Sequence, residues 1–468
     1  MNKYLLEIRL RLFIDNTLRQ LLPIISWSIF ILSVIIYLAS PKKAISLSML
    51  AIRLYPSNSA MKFLSFKSEQ VNNLLSELVS KENDIREAAA RTIIIAWPTK
   101  KPDKSISKGI LIITFTKTNA VFFHTIDVNL LSEYFHIVLE PSWAGYMDPD
   151  ILFWGYTLKI PVFVQATEIR DRVCLNNIMP RMIPLNFGAS DWVDYRVFHP
   201  EKNPEKTYDS AYVANNNPIK RVYRYLWAVK KIIDSGDKEY KALLICAGWG
   251  GENKKILNYI SALRLKENCE IHFSLQREEL VRMLRKAKTN VLLSYKEGSN
   301  RSLFESMFCN TPVIALSENI GMNKSYINEN TGLLVSDAFI EEALVHMKNN
   351  WRQYSPRKWA MNNISPEKTT SKLIDTIIMH TGNNDLNLKN IFIKTNNPEA
   401  NYIDLPDKPG AELKMNTNLE ILNLFRKDSD NEKNSSNENM ENIYNNFTQS
   451  FEVLMCSEEK NAFVENET

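Results

Sequence analysis

The segment Val291-Leu-Leu-Ser-Tyr-Lys-Glu-Gly-Ser-Asn-Arg-Ser-Leu-Phe-Glu305 consists of a short apolar run, a polar turn and the start of an amphipathic stretch. This order predicts a buried strand over 291–294, a turn over 297–300 and a helix from about Ser302. The apolar run Pro312-Val-Ile-Ala-Leu316 predicts the next strand. A strand, a helix and a second strand in succession form the repeating unit of a parallel α/β sheet.

The same alternation extends outward on both sides of this segment. Before residue 200, apolar runs predict strands at 92–96, 109–115, 136–139 and 161–164. After residue 207, they predict strands at 210–214, 242–246 and 270–273. The sequence therefore predicts an α/β protein with two doubly wound domains, over 91–200 and 207–380, facing each other across a cleft.

Three flanking segments complete the predicted organisation. Residues 1–43 are predicted to be a membrane anchor region, because the 22 residues between Arg19 and Lys42 carry no charge and would reach roughly 33 Å as a helix. A buried apolar helix is the alternative. Residues 44–90 have helical periodicity and form a helical connection. Residues 383–468 predict a largely disordered tail, in which the apolar islands 419–425 and 447–454 would be short helices or partner-docking motifs.

Charge and composition limit the classes of function. Residues 1–382 carry a net charge of +12 and the tail carries −8, which suits anionic partners such as phosphates or a lipid surface, or serves solubility alone. The five cysteines and six histidines have no metal-ligand spacing, so no metal and no cofactor is expected. Asp148-Pro-Asp150 is predicted to be a turn or the start of a helix, and the basic stretch 221–231 to form an amphipathic helix that does not bind nucleic acid.

Two carboxylates bracket the turn quoted above. The helix N-terminus after Gly298 offers free backbone N–H groups to a diphosphate, and glycine permits close approach of the backbone. Glu297 at the mouth of the turn is placed to accept hydrogen bonds from sugar hydroxyls, and Glu305 within the helix is placed to accept them from ribose. Taken alone, this spacing is also that of a solvated helix face.

Several motifs in order resemble glycosyltransferase family 4, the retaining GT-B enzymes. The stretch 293–315 is similar to the family's strand, acidic turn, helix and strand, and 321–335 is similar to its segment at the end of the donor pocket. The passages Gly188–Asp194 and Phe198-His-Pro200 resemble its interdomain linker. This resemblance covers about 109–376 and implies a GT-B fold with two Rossmann-like domains, an acceptor domain at 91–200 and a donor domain at 207–380.

The resemblance also implies roles for individual residues. Glu297 would contact the transferred sugar and Glu305 the ribose, while Lys220 would neutralise the leaving diphosphate. Asn215 stands where the family has Arg, so Arg221 or Arg301 would have to supply the second positive charge. The predicted donor-binding residues are Asn215, Lys220, Arg221, Glu297, Gly298, Ser299, Asn300, Arg301 and Glu305.

The first domain departs further from the family. Thr167 lies where the family often has a catalytic His, and Glu140 and Glu168 are the acceptor-site candidates that follow predicted strands. Their alternative role is as capping or turn residues. The predicted catalytic residues are Glu297, Lys220, Glu140 and Glu168.

The sequence thus predicts a retaining, metal-independent, hexosyltransferase-like enzyme that moves a sugar from a nucleotide-sugar donor to a lipid-linked or polysaccharide acceptor. The expected partners are the nucleotide-sugar, a glycan or glycolipid acceptor and the membrane, and the expected location is the membrane with the catalytic domains in the cytoplasm. One alternative is a catalytically degenerate GT-B protein that acts as a scaffold or sugar-binding component in polysaccharide assembly. Another is a different GT-B enzyme, such as a sugar epimerase or a phosphorylase.

Overall fold

A computed structural model describes residues 2–55, 58–66, 68–141, 147–202, 205–382, 385–388, 391–396, 401–427 and 433–465 of the chain. The chain divides into two compact units. The first unit contains residues 24–192 and 366–468, and the second contains residues 1–23 and 193–365. The second domain was predicted to extend to residue 380, whereas the helix over 366–381 lies in the first unit. The reason is that Leu373 and Ile377 are fully buried in the core of the first unit.

The strands and helices alternate through most of both units. The strands are β1 (Thr92–Ala96), β2 (Thr99–Lys100), β3 (Ile106–Ser107), β4 (Gly109–Thr114), β5 (Phe135–Glu140), β6 (Val162–Gln165), β7 (Met182–Leu185), β8 (Ser210–Ala214), β9 (Ala242–Cys246), β10 (Cys269–Phe273), β11 (Asn290–Leu292), β12 (Val313–Leu316) and β13 (Gly332–Val335). The helices are α1 (Lys3–Ile36), α2 (Pro41–Leu54), α3 (Asn58–Phe66), α4 (Ser68–Leu78), α5 (Ile85–Ala90), α6 (Thr118–Thr125), α7 (Val128–Tyr134), α8 (Pro149–Thr157), α9 (Ile169–Ile178), α10 (Val222–Asp234), α11 (Asn253–Ala262), α12 (Arg277–Arg285), α13 (Arg301–Phe308), α14 (Ile340–Asn350), α15 (Pro356–Asn363), α16 (Pro366–Thr381), α17 (Asp407–Leu424) and α18 (Lys433–Glu465).

The first unit is built on a five-stranded sheet in the order β1-β4-β5-β6-β7. All neighbours are parallel except β1, which runs antiparallel to β4. The central strands are continuous apolar runs, and Ile110 through Ile113 are fully buried, because helices cover both faces of such a sheet. Helices α2 to α5 lie in the segment that was predicted to be a helical connection. Asp148 caps α8, as predicted for a helix start.

The second unit contains a fully parallel six-stranded sheet in the order β10-β9-β8-β11-β12-β13. The chain winds outward from β8 through β9 to β10, and then crosses back to place β11 on the other side of β8. In open α/β sheets this switch of direction leaves a crevice at the carboxyl ends of the two central strands, where ligands bind. The loops after β8 and β11 therefore define the position to inspect for a site.

Helix α1 is long and apolar enough to cross a membrane, judged by its length and composition alone. Only 17% of its most apolar 18-residue window is buried, so it is not a core helix of the usual kind. Residues up to Pro23 pack with the second unit, and the residues after Pro23 pack with the first. The predicted apolar N-terminal helix is confirmed.

The C-terminal segment contains helices α17 and α18 in addition to irregular chain. The two apolar islands predicted in this tail lie within them, and Leu422, Phe425 and Phe447 are buried against the first unit. Tyr402 and Leu405, outside the two islands, are buried there as well. The helices also extend beyond the islands, since α18 begins at Lys433 within the Asn- and Ser-rich stretch.

Candidate active site

Glu297 is held in a turn that follows β11 at the switch point of the second sheet. Its backbone N–H donates to the carbonyl of Ile320 at 2.8 Å. Gly321 packs directly on the turn, since a Cβ at this position would lie 1.8 Å from the Glu297 carbonyl oxygen, and its φ of +102° is one that glycine adopts readily. The loop after β12 therefore packs against the turn and fixes its position.

The carboxylate of Glu297 forms an ion pair with Lys220. The Lys220 Nζ donates to both carboxylate oxygens, at 2.7 and 2.6 Å, and the hydroxyl of Ser294 donates to one of them. Glu297 is only 5% exposed. The two residues are 77 positions apart in the sequence, and they meet because β8 and β11 are neighbours.

Lys220 is positioned by the loop that follows β8. Asn217 begins a single helical turn by accepting from the N–H of Ile219 at 3.1 Å. The buried Tyr212 of β8 donates its hydroxyl proton to the carbonyl of Lys220, and burial raises the pKa of this hydroxyl, so it stays protonated as a donor. These contacts anchor the backbone of Lys220 and leave its side chain directed at Glu297.

The turn leads into α13, as the sequence predicts. Asn300 is the N-cap residue, and its side-chain oxygen accepts from the N–H of Leu303 at 2.9 Å. The other N–H groups of the first turn have no partner within a helix. Gly298 and Ser299 are partly buried, and Arg301 is exposed. This end of the helix thus combines N–H groups with the positive end of the helix dipole.

Glu305 lies one turn further along α13 and is partly buried. Burial raises the pKa of its carboxyl to about 7, while the nearby Arg301 and Arg277 oppose this rise. Within the described part of the chain, no hydrogen bond to this carboxylate is formed. A carboxyl that is desolvated and unpartnered in this way is suited to binding a polar ligand.

Arg221 does not take the place predicted for it. Its side chain is 2% exposed and forms ion pairs with Asp337 at 3.0 Å and with Asp15 of α1 at 2.9 Å. It also lies over the ring of Tyr295, 3.7 Å from the centroid. Asp337 and Asp15 already neutralise its charge inside the unit. Arg221 therefore stabilises the loop that carries Lys220 and does not face a ligand.

Asn215 lies in the loop after β8, where its side-chain oxygen accepts from the N–H of Asn217 at 3.0 Å. It therefore shapes the loop of Lys220 and adds no charge to it. Of the predicted cations, Lys220 reaches Glu297, whereas Arg301 lies exposed at the start of α13. The resemblance implies a second positive charge beside Lys220. Asn215 has no charge, and the charge of Arg221 is taken up by Asp337 and Asp15.

The acceptor-site candidates lie in the first unit, at the carboxyl ends of its strands. Glu140 ends β5 and forms an ion pair with the buried Lys394 at 3.3 Å. Glu168 precedes α9 without capping it through its side chain, and it lies 3.9 Å from Arg170. Thr167 is buried. Most of the segment after Glu140, residues 142–146, lies outside the described residues.

Sequence reasoning missed several residues that build the site. Ser294 was assigned only as the end of a strand and Tyr212 only as strand core, yet both hydrogen-bond to the pair. A hydroxyl at the end of an otherwise apolar run was the available signal for Ser294. No local signal links Asp15 or Asp337 to Arg221, because these contacts depend on tertiary packing.

Among the residues that the structure describes, no group of three or more His, Cys, Asp or Glu side chains is arranged to hold a metal ion. The four described cysteines, Cys174, Cys246, Cys269 and Cys309, are buried free thiols.

Residues 196–351 match the family model for glycosyl transferases group 1. This segment covers about a third of the chain and contains both Lys220 and Glu297. The match supports a glycosyltransferase. Together with the two doubly wound units, it agrees with the predicted GT-B class. No curated protein sequence matches the chain significantly.

Solved structures with a similar fold include a mutant of S. aureus TarM in complex with fondaparinux, alpha-GlcNAc-glycerol and UDP, at 14% identity and a TM-score of 0.43, with 60% of this chain and 63% of that chain covered. They also include the sucrose-phosphate synthase from Thermosynechococcus elongatus, at 14% identity and a TM-score of 0.45, with 57% and 72% covered. Anabaena Alr3699/HepE in complex with UDP-glucose has 10% identity and a TM-score of 0.44, with 57% and 78% covered. This chain spans 63% of the length of TarM, and the likeness is one of fold.

Proposed function

We propose that the protein is a retaining glycosyltransferase that moves a sugar from a nucleotide-sugar donor to a lipid-linked or polysaccharide acceptor. The observation that carries this proposal is the buried pair of Lys220 and Glu297 at the switch point of the second sheet, within the segment that matches the glycosyltransferase family model. Glu297, Lys220 and α13 offer a carboxylate, a cation and a helix N-terminus to one ligand.

The three groups suit the three parts of a nucleotide-sugar. The N–H groups after Gly298 and the ammonium of Lys220 attract a diphosphate. The oxygens of Glu297 accept hydrogen bonds from sugar hydroxyls, and the unpartnered carboxyl of Glu305 accepts them from ribose. While it is protonated, the carboxyl of Glu305 accepts hydrogen bonds less readily than an ionised carboxylate does, so we expect donor binding to strengthen as Glu305 ionises.

Transfer breaks the bond between the anomeric carbon and the diphosphate oxygen and forms a bond from that carbon to an acceptor hydroxyl oxygen, whose proton passes to the departing diphosphate. Negative charge grows on the departing diphosphate, and Lys220 is the cation placed to stabilise it. In the free protein this ammonium is paired with Glu297, so the incoming diphosphate would share it. We propose that metal is not required, because Lys220 and the helix N-terminus supply the positive potential.

The acceptor proposal depends on α1. An apolar helix packed on the second unit would keep the site near lipid, which favours a lipid-linked acceptor and a cytoplasmic, membrane-associated enzyme with access to nucleotide-sugars. Glu140 and Glu168 are the acceptor-site candidates of the first unit, and each lies near a cation, Lys394 at 3.3 Å and Arg170 at 3.9 Å.

The test uses the purified full chain, because residues 3–23 pack with the second unit and a shorter fragment would remove them. Binding of UDP- and GDP-sugars is screened by thermal shift, and transfer of a radiolabelled sugar to a membrane lipid extract is then measured. Glu297→Ala should abolish donor binding or turnover, while the exposed Glu278→Ala should retain both. Unchanged transfer by Glu297→Ala would refute the assignment of the site.

Product analysis separates the proposal from its rivals. Label in a lipid or glycan indicates transfer, whereas an altered free sugar indicates an epimerase and a sugar phosphate indicates a phosphorylase. Donor binding with no product of any kind would favour a catalytically degenerate sugar-binding protein. The uncharged Asn215, at a position where the resemblance implies Arg, is the observation that favours this rival.

A further inference from the structure

Each half of helix α1 packs one face on its own unit, residues 3–23 on the second and residues 24–36 on the first, and carries exposed apolar side chains as well. The exposed apolar side chains between residues 10 and 36 are Leu10, Phe13, Ile14, Leu18, Leu21, Ile24, Trp27, Ile31, Leu32, Val34 and Ile35. In this interval the exposed polar residues are only Asn16, Gln20 and Ser28, and the charged residues Arg11, Asp15 and Arg19 are half-buried. At 1.5 Å per residue this apolar face is about 38 Å long.

The opposite face of the N-terminal half is fixed to the second unit. Ile8 is fully buried in its core. Asp15 pairs with Arg221 at 2.9 Å, and Arg19 pairs with Glu318 at 2.6 Å. Glu7 pairs with Lys255 at 2.7 Å, and Arg11 pairs with Glu7 and lies over the ring of Tyr223. Each half-buried charged residue of this half of the helix therefore has a partner.

The C-terminal half is fixed in the same manner to the first unit. Ser26 donates to the carbonyl of Ala51 at 2.8 Å, and Ser33 lies 2.8 Å from the hydroxyl of Ser48. Phe30 is buried in the core of that unit. A helix that crossed a bilayer through residues 20–41 would be surrounded by hydrocarbon and would have to leave these contacts.

We propose that α1 lies in the plane of an anionic phospholipid surface, with its exposed face inserted among the lipids, and that it does not span the membrane. Helices of this kind have an apolar face buried at the boundary between headgroups and acyl chains and a polar opposite face. Here the protein body occupies the side where water would otherwise be. Both ends of the helix then remain on one side of the bilayer.

The distribution of charge favours anionic lipid as the occupant of this face. Over residues 2–55 the exposed charged residues are Lys3, Arg9 and Lys43, and all three are basic. Lys3 and Lys43 lie beyond the two ends of the apolar face, and Arg9 lies between the exposed Leu6 and Leu10. Basic residues in this position attract anionic headgroups. Exposed apolar side chains also cover roughly 200° of the helix circumference, counting 100° per residue, which is wider than the seam by which one helix pairs with a second copy.

Vesicle flotation tests the surface. The full chain should float with sealed vesicles containing about 30% anionic phosphatidylglycerol in phosphatidylcholine. The variant Ile24→Glu/Ile31→Glu should bind about tenfold less, because each new carboxylate would have to enter the lipid boundary. Met379→Glu, an equally drastic change at a side chain that is 76% exposed in α16, should float like the unmodified chain, and thermal unfolding of each variant checks that it folds.

Labelling separates an in-plane helix from a spanning one. The variant Asn2→Cys/Ala39→Cys, in a Cys456→Ser background, is reconstituted into sealed vesicles and treated with a membrane-impermeant maleimide, while the four described native thiols are protected by burial. Intact-mass analysis should find chains labelled at both positions or at neither. Chains labelled at only one position would mean that the helix spans, and would overturn the proposal.

A second copy of the chain could cover the exposed face of α1 instead of lipid, and a measurement without lipid detects it. Sedimentation velocity should find no dimer that the Ile24→Glu/Ile31→Glu substitutions dissociate. Such a dimer, or an unmodified chain that fails to float, would overturn the proposal. The inference is independent of the proposed chemistry, because Glu297→Ala should still float and Ile24→Glu/Ile31→Glu should still bind the donor.

Discussion

Replacing Lys220 by methionine removes the cation of the candidate active site and keeps most of its apolar side chain. Glu297 would then retain only the hydroxyl of Ser294 as a side-chain partner. Because Glu297 is 5% exposed and accepts two hydrogen bonds from Lys220, its carboxylate would be left buried and uncompensated. The substitution therefore perturbs both stability and chemistry.

The magnitude follows from the burial of the pair. Breaking a buried ion pair from one side costs about 3–5 kcal/mol, and the remaining Ser294 contact places this loss near about 3 kcal/mol. For a unit of this size, that corresponds to a fall in Tm of about 6–12 °C. Loss of one group that stabilises a developing negative charge lowers kcat by about 10²–10³-fold.

A double-mutant cycle separates the two effects. Glu297→Gln in the Lys220→Met background removes the uncompensated charge, so we expect it to recover about 2 kcal/mol of the unfolding free energy in urea denaturation. It should not recover sugar transfer, measured with radiolabelled donor. The reasoning would be refuted by Lys220→Met retaining transfer within threefold of the unmodified chain, or by the double variant regaining both stability and activity, which would mean that the pair is only structural.

Three further predictions concern the surroundings of this pair. Because burial raises the pKa of Glu305 to about 7 from an ordinary 4.5, the folded chain holds a proton that the unfolded chain releases, and the unfolding free energy should fall by at most about 3 kcal/mol as the pH rises from 4.5 through 7. Donor affinity should rise over pH 6–8, and Glu305→Gln should flatten both profiles. Gly321→Ala should abolish donor binding, measured by titration calorimetry, because a Cβ would lie 1.8 Å from the carbonyl oxygen of Glu297. Asp337→Asn should destabilise the chain to urea by about 3–5 kcal/mol, because it leaves the buried Arg221 short of its main partner.

Matched control substitutions exist for the changes at Gly321 and Asp337. Gly236→Ala also changes a glycine with positive φ, but nothing lies within 4 Å of its added Cβ, so it should leave donor binding intact. Asp234→Asn removes an exposed carboxylate and should cost under about 1 kcal/mol. A pH profile of Glu305→Gln identical to that of the unmodified chain, or equal losses from Gly321→Ala and Gly236→Ala, would contradict the corresponding prediction.

Much of the candidate site could be predicted from local sequence. The turn at Glu297, the helix that carries Glu305 and the loop of Lys220 all lie where the apolar runs end, because polar residues at the carboxyl ends of parallel strands face the same edge of the sheet. Local sequence was not sufficient for Arg221, which was predicted to supply a second positive charge to the diphosphate. Adjacent residues in a tight turn point in different directions, and the φ of +53° at Arg221 directs its side chain inward to Asp337.

The sequence by itself determined the alternation of strands and helices, the long apolar helix at the N-terminus and the carboxylates of the donor turn, because periodicity and turn chemistry are properties of neighbouring residues. Only the tertiary structure decided that Lys220 pairs with Glu297, that Asp15 of α1 reaches Arg221 and that α16 returns to the first unit. These outcomes depend on strand order and on which apolar face meets which core. Residues far apart in the chain acquire their partners only when the sheet places them side by side.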